Sequence, residues 1–307
     1  MSTVKVAVLC GGESNERDVS LRTGAAIERA LASRGYEVVH VDVDRQLVDR
    51  LKAVQPDVCY NALHGTFGED GQLQSILDFL GLPYTGENAR TSLIAFDKRL
   101  TKHVYQAHEV ATPDSFDLQS FNTLDNILDD LALPVFLKPC SEGSSVGVEK
   151  ISSVESLSRF MSEWDPQTPY LVESAVRGAE LSVACFGDEI LGSVEIVPKR
   201  EFYDYEAKYG DAGTEYFIPP RLSPADVTTA EEMAFRAHKA LGCKGLCRTD
   251  VLVGDTGVFV LETNTLPGMT ETSLVPKIAR AAGIDFPELV ERVLKSANRP
   301  MTTEVRV

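Results

Sequence analysis

Four residues late in the chain have the types and spacing to grip a cation against phosphate: Arg248, Asp250, Glu262 and Asn264. They lie in RTDVLVGDTGVFVLETNTLPGMT, where two strand-forming runs flank Gly254-Asp255-Thr256-Gly257. Turn residues between apolar runs predict a β-hairpin. A loop of Asp255-Thr256-Gly257, closed by a left-handed glycine, sets Asp250 opposite Glu262 and Arg248 opposite Asn264. Side chains alternate along a strand, so all four then share one face. A slip of a single residue would carry one pair to the other face. Two carboxylates and an amide oxygen on an apolar hairpin are costly unless something neutralises them. Hard oxygen donors of this kind suit Mg²⁺, which keeps waters and bridges phosphates. A second reading stays open, a half-solvated edge hairpin with Arg248 pairing the acids.

Three loops could serve such a site. Lys138-Pro139-Cys140-Ser141-Glu142-Gly143-Ser144-Ser145-Val146-Gly147 joins two strand-like runs. Its small residues can turn N–H groups onto phosphate oxygens, and Lys138 adds a point charge. The order of a P-loop is absent, and an ordinary polar hairpin is the alternative. Gly11-Gly12-Glu13-Ser14-Asn15-Glu16-Arg17-Asp18 follows the first strand without the glycine spacing of a dinucleotide site. Glu16 there either favours a helix dipole or holds a substrate ammonium. The stretch from Phe202 to Phe217 is rich in aromatics and carries Lys208, Tyr209 and two glycines. That composition fits either a loop that closes over a site or a satellite core. His64 follows a strand end, where a structural or a proton-handling role is open. The other histidines, His40, His103, His108 and His238, show no ligand spacing, and Cys243 and Cys247 are read as having no partner histidines, which argues against zinc.

The elements around these loops read as α/β. A run from Val4 to Cys10 precedes a helical pattern that stops at Gly35; strands follow over 36–43 and 57–62. Strands separated by helices imply a doubly wound parallel sheet, with ligands beyond the carboxyl ends of its strands. There lie the Gly11–Asp18 loop and the segment from His64 to Gly71. A helical stretch near 86–110, opened by Asn88, ends before Pro113. Beyond it, strands and helices alternate to about Val176. Then come strand runs over 180–186 and 190–198, a helix opened by Ser223-Pro224, the hairpin and two last helices. The division expected is 1–86, 87–177 and 178–307.

The chain has 307 residues and a formal charge of -16. An acidic balance argues against nucleic acid and anionic membrane surfaces. No apolar run is long enough to span a bilayer, and the N-terminus opens straight into a strand, so a cytoplasmic protein is expected. Six scattered cysteines with no C-x-x-C pair fit buried, reduced thiols.

Taken together, the segments resemble the D-alanine–D-alanine ligases of the ATP-grasp superfamily. The resemblance runs the whole chain: GGESNERDVS at 11–20, ALHGTFGEDG at 62–71, GLPYTG at 81–86, KPCSEGSSVGV at 138–148, FYDYEAKY at 202–209, GCKGLCRTDV at 242–251 and ETNTLPGMTETSLVP at 262–276. It implies an N-terminal doubly wound sheet followed by two ATP-grasp subdomains that sandwich ATP. It implies D-alanyl phosphate formation from ATP and attack on it by a second D-alanine. By the same resemblance Asp250, Glu262 and Asn264 would hold two Mg²⁺ (Mn²⁺ as a substitute). Lys98, Lys138, Ser145 and Lys208 would meet the triphosphate, and Glu173 and Glu180 the adenine and ribose. Arg248 and the Gly268 N–H would stabilise the oxyanion. Glu16 would hold the first ammonium in a group with Ser144 and Tyr209, His64 would neighbour the first carboxylate, and Ser273 with Leu274 would bind the second. A homodimer is the family's common state. Ser174-Ala175-Val176 depart from the bulky residue often found after the adenine-region glutamate. Tyr209 favours an amine as second substrate, hence D-Ala-D-Ala over D-Ala-D-lactate. The rivals are another ATP-grasp acid–amine ligase, such as one forming D-Ala-D-Ser, and a nucleotide-binding protein without turnover.

Overall fold

A run of apolar residues that are buried on both sides opens the first sheet. The computed structural model describes residues 3–120, 127, 131–143, 146–199 and 213–298. Strand β1 (Lys5–Cys10) pairs in parallel with β2 (Glu37–Asp42) and β3 (Val58–Asn61), in the order β2-β1-β3. Val6, Val8 and Cys10 face helix α1 (Arg17–Ser33), whereas Ala7 and Leu9 face α2 (Leu47–Val54) and α3 (Gln72–Leu80). Helices on both faces explain why β1 lacks the polar alternation of a half-exposed strand. Gly35 ends the first αβ unit in the left-handed region, φ +86°, as its position predicts. The loops carrying Glu16 and His64 therefore leave the carboxyl ends of β1 and β3.

The predicted helix of 86–110 is two helices. Asn88 caps α4 (Ala89–Phe96) by accepting from the Thr91 N–H. Asp97 then adopts an extended backbone and accepts from the N–H groups of Arg99 and Leu100, which starts α5 (Lys98–Ala107). Short polar side chains compete with the helix backbone in this way, and periodicity alone does not register it. The break sets Lys98 at the first turn of a new helix.

Two antiparallel sheets follow. The first holds β4 (Ser115–Asp117), β5 (Val135–Pro139), β6 (Glu149–Ile151) and β7 (Tyr170–Ser174) in the order β4-β7-β5-β6, backed by α6 (Val154–Glu163). The second holds β8 (Ala179–Phe186), β9 (Glu189–Val197), β10 (Glu215–Phe217), β11 (Leu246–Gly254) and β12 (Gly257–Asn264) in the order β10-β9-β8-β11-β12. Helix α7 (Pro224–Ala240), capped by Ser223 with proline in its first turn, packs Ala230, Ala234 and Ala237 against Leu181, Val183 and Val251 of this sheet. The last helices, α8 (Leu274–Ala281) and α9 (Phe286–Lys295), return to α1, where Val290 and Leu294 share a core with Ile27 and Leu31. Each such buried aliphatic side chain contributes about 1.5–3 kcal/mol. The returning helices join the second antiparallel sheet to the N-terminal unit and so hold its loops over the hairpin.

The hairpin reaches its expected pairing by a different route. Arg248 pairs with Asn264 and Asp250 with Glu262, but Gly254 pairs with Gly257, so the loop is Asp255-Thr256 alone. A bulge at Leu261, between the Asp250–Glu262 and Val251–Val260 pairs, supplies the missing residue. The extra residue lets Val260 sit fully buried while Glu262, two positions on, faces the other way.

The fold also corrects the dismissal of a histidine near the two late cysteines. His238, near the end of α7 and five residues before Cys243, lies against Cys243 and Cys247, and the Cys243 N–H donates to its carbonyl at 3.0 Å. All six cysteines are free and buried, as expected.

Candidate active site

The loops and the hairpin converge on a cavity lined by Glu16, His64, Lys98, Arg248, Glu262, Asn264 and Gly268. Glu16 enters it from the loop before α1. That loop is tied down by Arg17, which donates to Asp42 at 2.8 and 2.6 Å and to the Gly12 carbonyl at 3.0 Å. The Glu16 carboxylate fits between two glycines. A Cβ on Gly65 would stand 2.9 Å from its Oε2, and one on Gly143 would stand 2.8 Å away. Gly65 also has φ +72°, a conformation that favours glycine. Gly65 and Gly143 are thus needed for close approach, a need visible in the sequence only as glycines in expected loops. His64 is buried; its Nε2 lies 3.1 Å from the Thr23 hydroxyl and its Nδ1 3.7 Å from Glu69. Lys98 Nζ donates to the Glu142 carbonyl at 2.7 Å and so ties α5 to the glycine-rich loop.

On the hairpin, Arg248 donates through Nε and Nη2 to the two oxygens of Asp250, both at 3.0 Å. Ser182 donates to the same carboxylate. The expected common face is present, and so is the Arg248–Asp250 pairing of the rival reading, on a strand pair that ends at the edge strand β12. Asn264 accepts the Leu266 N–H at 2.8 Å, which fixes the turn leading to Gly268. Asp250, Glu262 and Asn264 together offer hard oxygens with a net negative charge, the donor set that a Mg²⁺–phosphate group takes.

Beyond the hairpin a larger cleft opens between the two antiparallel sheets. Lys98, Lys138, Glu173, Glu180, Asp250 and Glu262 all line it. Glu173 on β7 is fully enclosed and held by two lysines. Lys102 lies 2.5 Å from its Oε2, and Lys138 pairs with its Oε1. Burial alone would raise the Glu173 pKa, but the two ammonium groups pull it below the ordinary carboxylate range. Burial pushes the Lys102 pKa down against the pull of Glu173. Lys102 escaped sequence reasoning; its one signal is its place a helical turn after Lys98. Ala175, Val176, Ile196 and Leu252 give the same cleft an apolar wall.

A third cavity adjoins Arg248 and Gly268 and reaches Ser273, Leu274, Tyr216 and Arg22. Ser273 sits at the N-cap of α8 but makes no side-chain cap. Its hydroxyl instead lies 3.1 Å from the Thr270 N–H and 2.8 Å from the Thr270 hydroxyl. The first N–H groups of α8 keep their capacity for an anion. Ser144, Ser145, Lys208 and Tyr209 lie outside the described residues.

Comparison with known proteins gives the family. Residues 104–295 match the family model described as D-ala D-ala ligase C-terminus, and residues 47–87 match D-ala D-ala ligase N-terminus. The chain is similar to the D-alanine–D-alanine ligase of Carboxydothermus hydrogenoformans, at 43% identity over 95% of this chain and 97% of that protein. Its likeness to the Geotalea uraniireducens enzyme is also 43%, over 97% and 96%. Among solved structures, the D-alanine–D-alanine ligase of Bacillus anthracis superposes with a TM-score of 0.85 at 34% identity, covering 96% of this chain and 97% of that one. The same protein complexed with ATP gives 0.84 at 33%, with the same coverage. A D-Ala:D-Ser ligase from Enterococcus faecalis gives 0.82 at 25%, over 96% and 99%. With the hairpin, the inter-sheet cleft and matches of this extent in hand, the chain belongs to the D-alanine–D-alanine ligase family.

Proposed function

We propose that this chain joins two D-alanines at the expense of ATP, through a D-alanyl phosphate, as a supplier of peptidoglycan precursor in the cytoplasm. The observation that carries the reading is three cavities that share walls at the hairpin: the one with Glu16 and Gly268 shares Glu262 and Lys98 with the inter-sheet cleft, and Arg248 and Gly268 with the Ser273 cavity. A first amino acid, a nucleotide and a second amino acid can thus meet at the hairpin. The unit boundaries we assign are 1–86, 87–177 and 178–307, with the nucleotide between the last two. A homodimer is part of the proposal. No helix among the described residues is long and apolar enough to cross a membrane.

The residues divide the work as follows. Glu16 takes the first ammonium, and His64 stands beside the carboxylate that attacks the γ-phosphate. A P–O bond to ADP breaks as the acyl phosphate forms. Lys98 and Lys138 place positive charge along the triphosphate, since phosphoryl transfer depends on positioned cations. Asp250, Glu262 and Asn264 would hold two Mg²⁺, or Mn²⁺, whose charge offsets that of the phosphates. Glu173 and Glu180 face the nucleoside end, with Ala175 leaving the wall there apolar. The second amino group attacks the acyl carbon and phosphate departs. Arg248, held in one plane by Asp250, and the Gly268 N–H receive the oxyanion, a contribution of about 3–4 kcal/mol per donor in comparable sites. Ser273 and the start of α8 at Leu274 receive the second carboxylate. Ser144, Tyr209, Ser145 and Lys208 complete this assignment by resemblance.

A coupled ATPase assay with D-alanine against L-alanine tests the proposal. ADP formation stimulated by the D-isomer alone is expected, with phosphate released on D-alanine without D-lactate. The likeness to a D-Ala:D-Ser ligase makes competition between D-alanine and D-serine the second arm. A product that is mainly D-Ala-D-Ser would overturn the choice of second substrate and leave the ligase chemistry standing.

A further inference from the structure

Away from the reaction, three soft or borderline donors meet inside the core between α7 and β11. The ligand atoms of His238, Cys243 and Cys247 all lie within 4.8 Å of one another, and all three residues are buried. The two histidine nitrogens are in different situations. Nε2 lies 3.0 Å from the Gly187 carbonyl oxygen, so it carries the proton and donates. Nδ1 therefore holds the lone pair, and it is buried with no hydrogen-bond partner. A ring N–H pinned to a backbone carbonyl, with the opposite nitrogen bare, is the support that metal-bound imidazoles commonly receive.

A buried carboxyl group stands next to one of the sulfurs. Glu87 is 2% exposed, and its Oε1 lies 3.5 Å from Cys247 Sγ while accepting the N–H groups of Lys244 and Gly245. Cys247 alternates with Arg248 along β11, so the cluster sits on the side of the sheet away from the proposed ligase chemistry.

We infer that His238, Cys243 and Cys247 form a site for a thiophilic d¹⁰ metal ion of the zinc class; the Glu87 carboxyl lies outside this set, 3.5 Å from Cys247 Sγ, and would have to swing in to serve as a fourth donor. Zinc–sulfur and zinc–nitrogen bonds of about 2.3 and 2.0 Å place tetrahedral donors about 3.5–3.8 Å apart. The observed set reaches that spacing by drawing in about 1 Å. On binding, each thiol releases one proton to solvent, two thiolates and the neutral Nδ1 donate, and no oxidation state changes. The ion also brings positive charge beside Glu87, and it ties α7 to β11 and the turn between them. Its role is structural.

The test uses the full chain, unfolded, stripped with a chelator and refolded with Zn²⁺ or Co²⁺ under reducing conditions. One tightly held equivalent per chain is expected, along with a tetrahedral cobalt spectrum that includes thiolate charge transfer. A Co²⁺ ion at the Asp250–Glu262 oxygens gives no thiolate band, so the two sites are told apart. His238→Gln and Cys247→Ser should each weaken retention by at least about 10-fold, the smallest loss seen even for groups that only support ligands. Cys59→Ser, in the N-terminal core, should leave retention unchanged. If the variants fail to fold, the wild-type spectrum and stoichiometry decide alone. Refolded, active chain without a thiolate band overturns the proposal. So does retention by Cys247→Ser, or a Cys243–Cys247 disulfide in place of bound metal.

Discussion

The two faces of the β11–β12 hairpin share a backbone and differ in how their polar groups are satisfied. On one face Tyr105, Thr263 and Thr249 form a buried hydroxyl chain, with the Thr263 oxygen 2.8 Å from the tyrosine and 2.9 Å from Thr249. All three residues are buried. On the other face Asp250, Glu262 and Asn264 gather oxygens at the mouth of two cavities. The first arrangement saturates itself and serves stability. The second concentrates negative charge where a cation and phosphates can complete it. Chemistry should therefore respond to changes on one face and stability to changes on the other.

The largest expected effect breaks the reactive face. Glu262→Gln removes one negative charge from the proposed metal site and should lower ADP formation by about 10³-fold, in the range of losing one strong electrostatic contact. Its thermal midpoint should stay near that of the parent by calorimetry. A variant that keeps turnover would remove Glu262 from the metal site.

Glu173 sharpens the contrast, because it lies in the same cleft yet is satisfied internally by Lys102 and Lys138. Glu173→Gln should cost about 3 kcal/mol in urea unfolding, the scale for breaking a buried ion pair. Its pH dependence has a definite sign. The folded pKa lies below the ordinary value of 4.5, so the parent holds this stabilisation above that pH and loses it as the pH falls through the lowered pKa. The variant should lack that acid-side loss. An unchanged acid limb would show that the two lysines do not act on Glu173 as a unit.

Two smaller changes test the boundaries of the comparison. Gly143→Ala places a methyl group 2.8 Å from Glu16 Oε2 and should reduce kcat/KM for the first D-alanine by about 10–100-fold, as a misplacement of about 1 Å does elsewhere. Its unfolding midpoint should hold. Thr263→Val, on the saturated face, leaves Tyr105 and Thr249 short of a partner and should cost about 1–3 kcal/mol with kcat intact. Loss of kcat there, without loss of stability, would erase the division between the faces.

Much of this was legible in the sequence because it rests on alternation and on loops at strand ends. The parallel N-terminal sheet, the shared face of Arg248, Asp250, Glu262 and Asn264, and the caps at Asn88 and Ser223 all follow from local pattern. What was hidden depends on contacts between distant segments. Lys102 acquires meaning only when β7 brings Glu173 to it. His238, only five residues before Cys243, was missed for another reason: the turn that closes α7 folds its ring onto the two sulfurs, which linear spacing does not register. Gly65 and Gly143 look like ordinary loop glycines until Glu16 is found between them. The hairpin gave the expected pairs through an unexpected turn, since a bulge and a longer loop add the same one residue to the register.

That bulge has a consequence for how the protein can vary. Leu261 changes the parity of β12, so residues 257–260 and 262–264 follow opposite alternation rules along a single strand. Before it Val258 and Val260 fill the interior; after it Thr263 does, while Glu262 and Asn264 face the ligand side. Alternating positions of one short segment can thus adapt to heat and to substrate separately, with a single leucine deciding which positions do which.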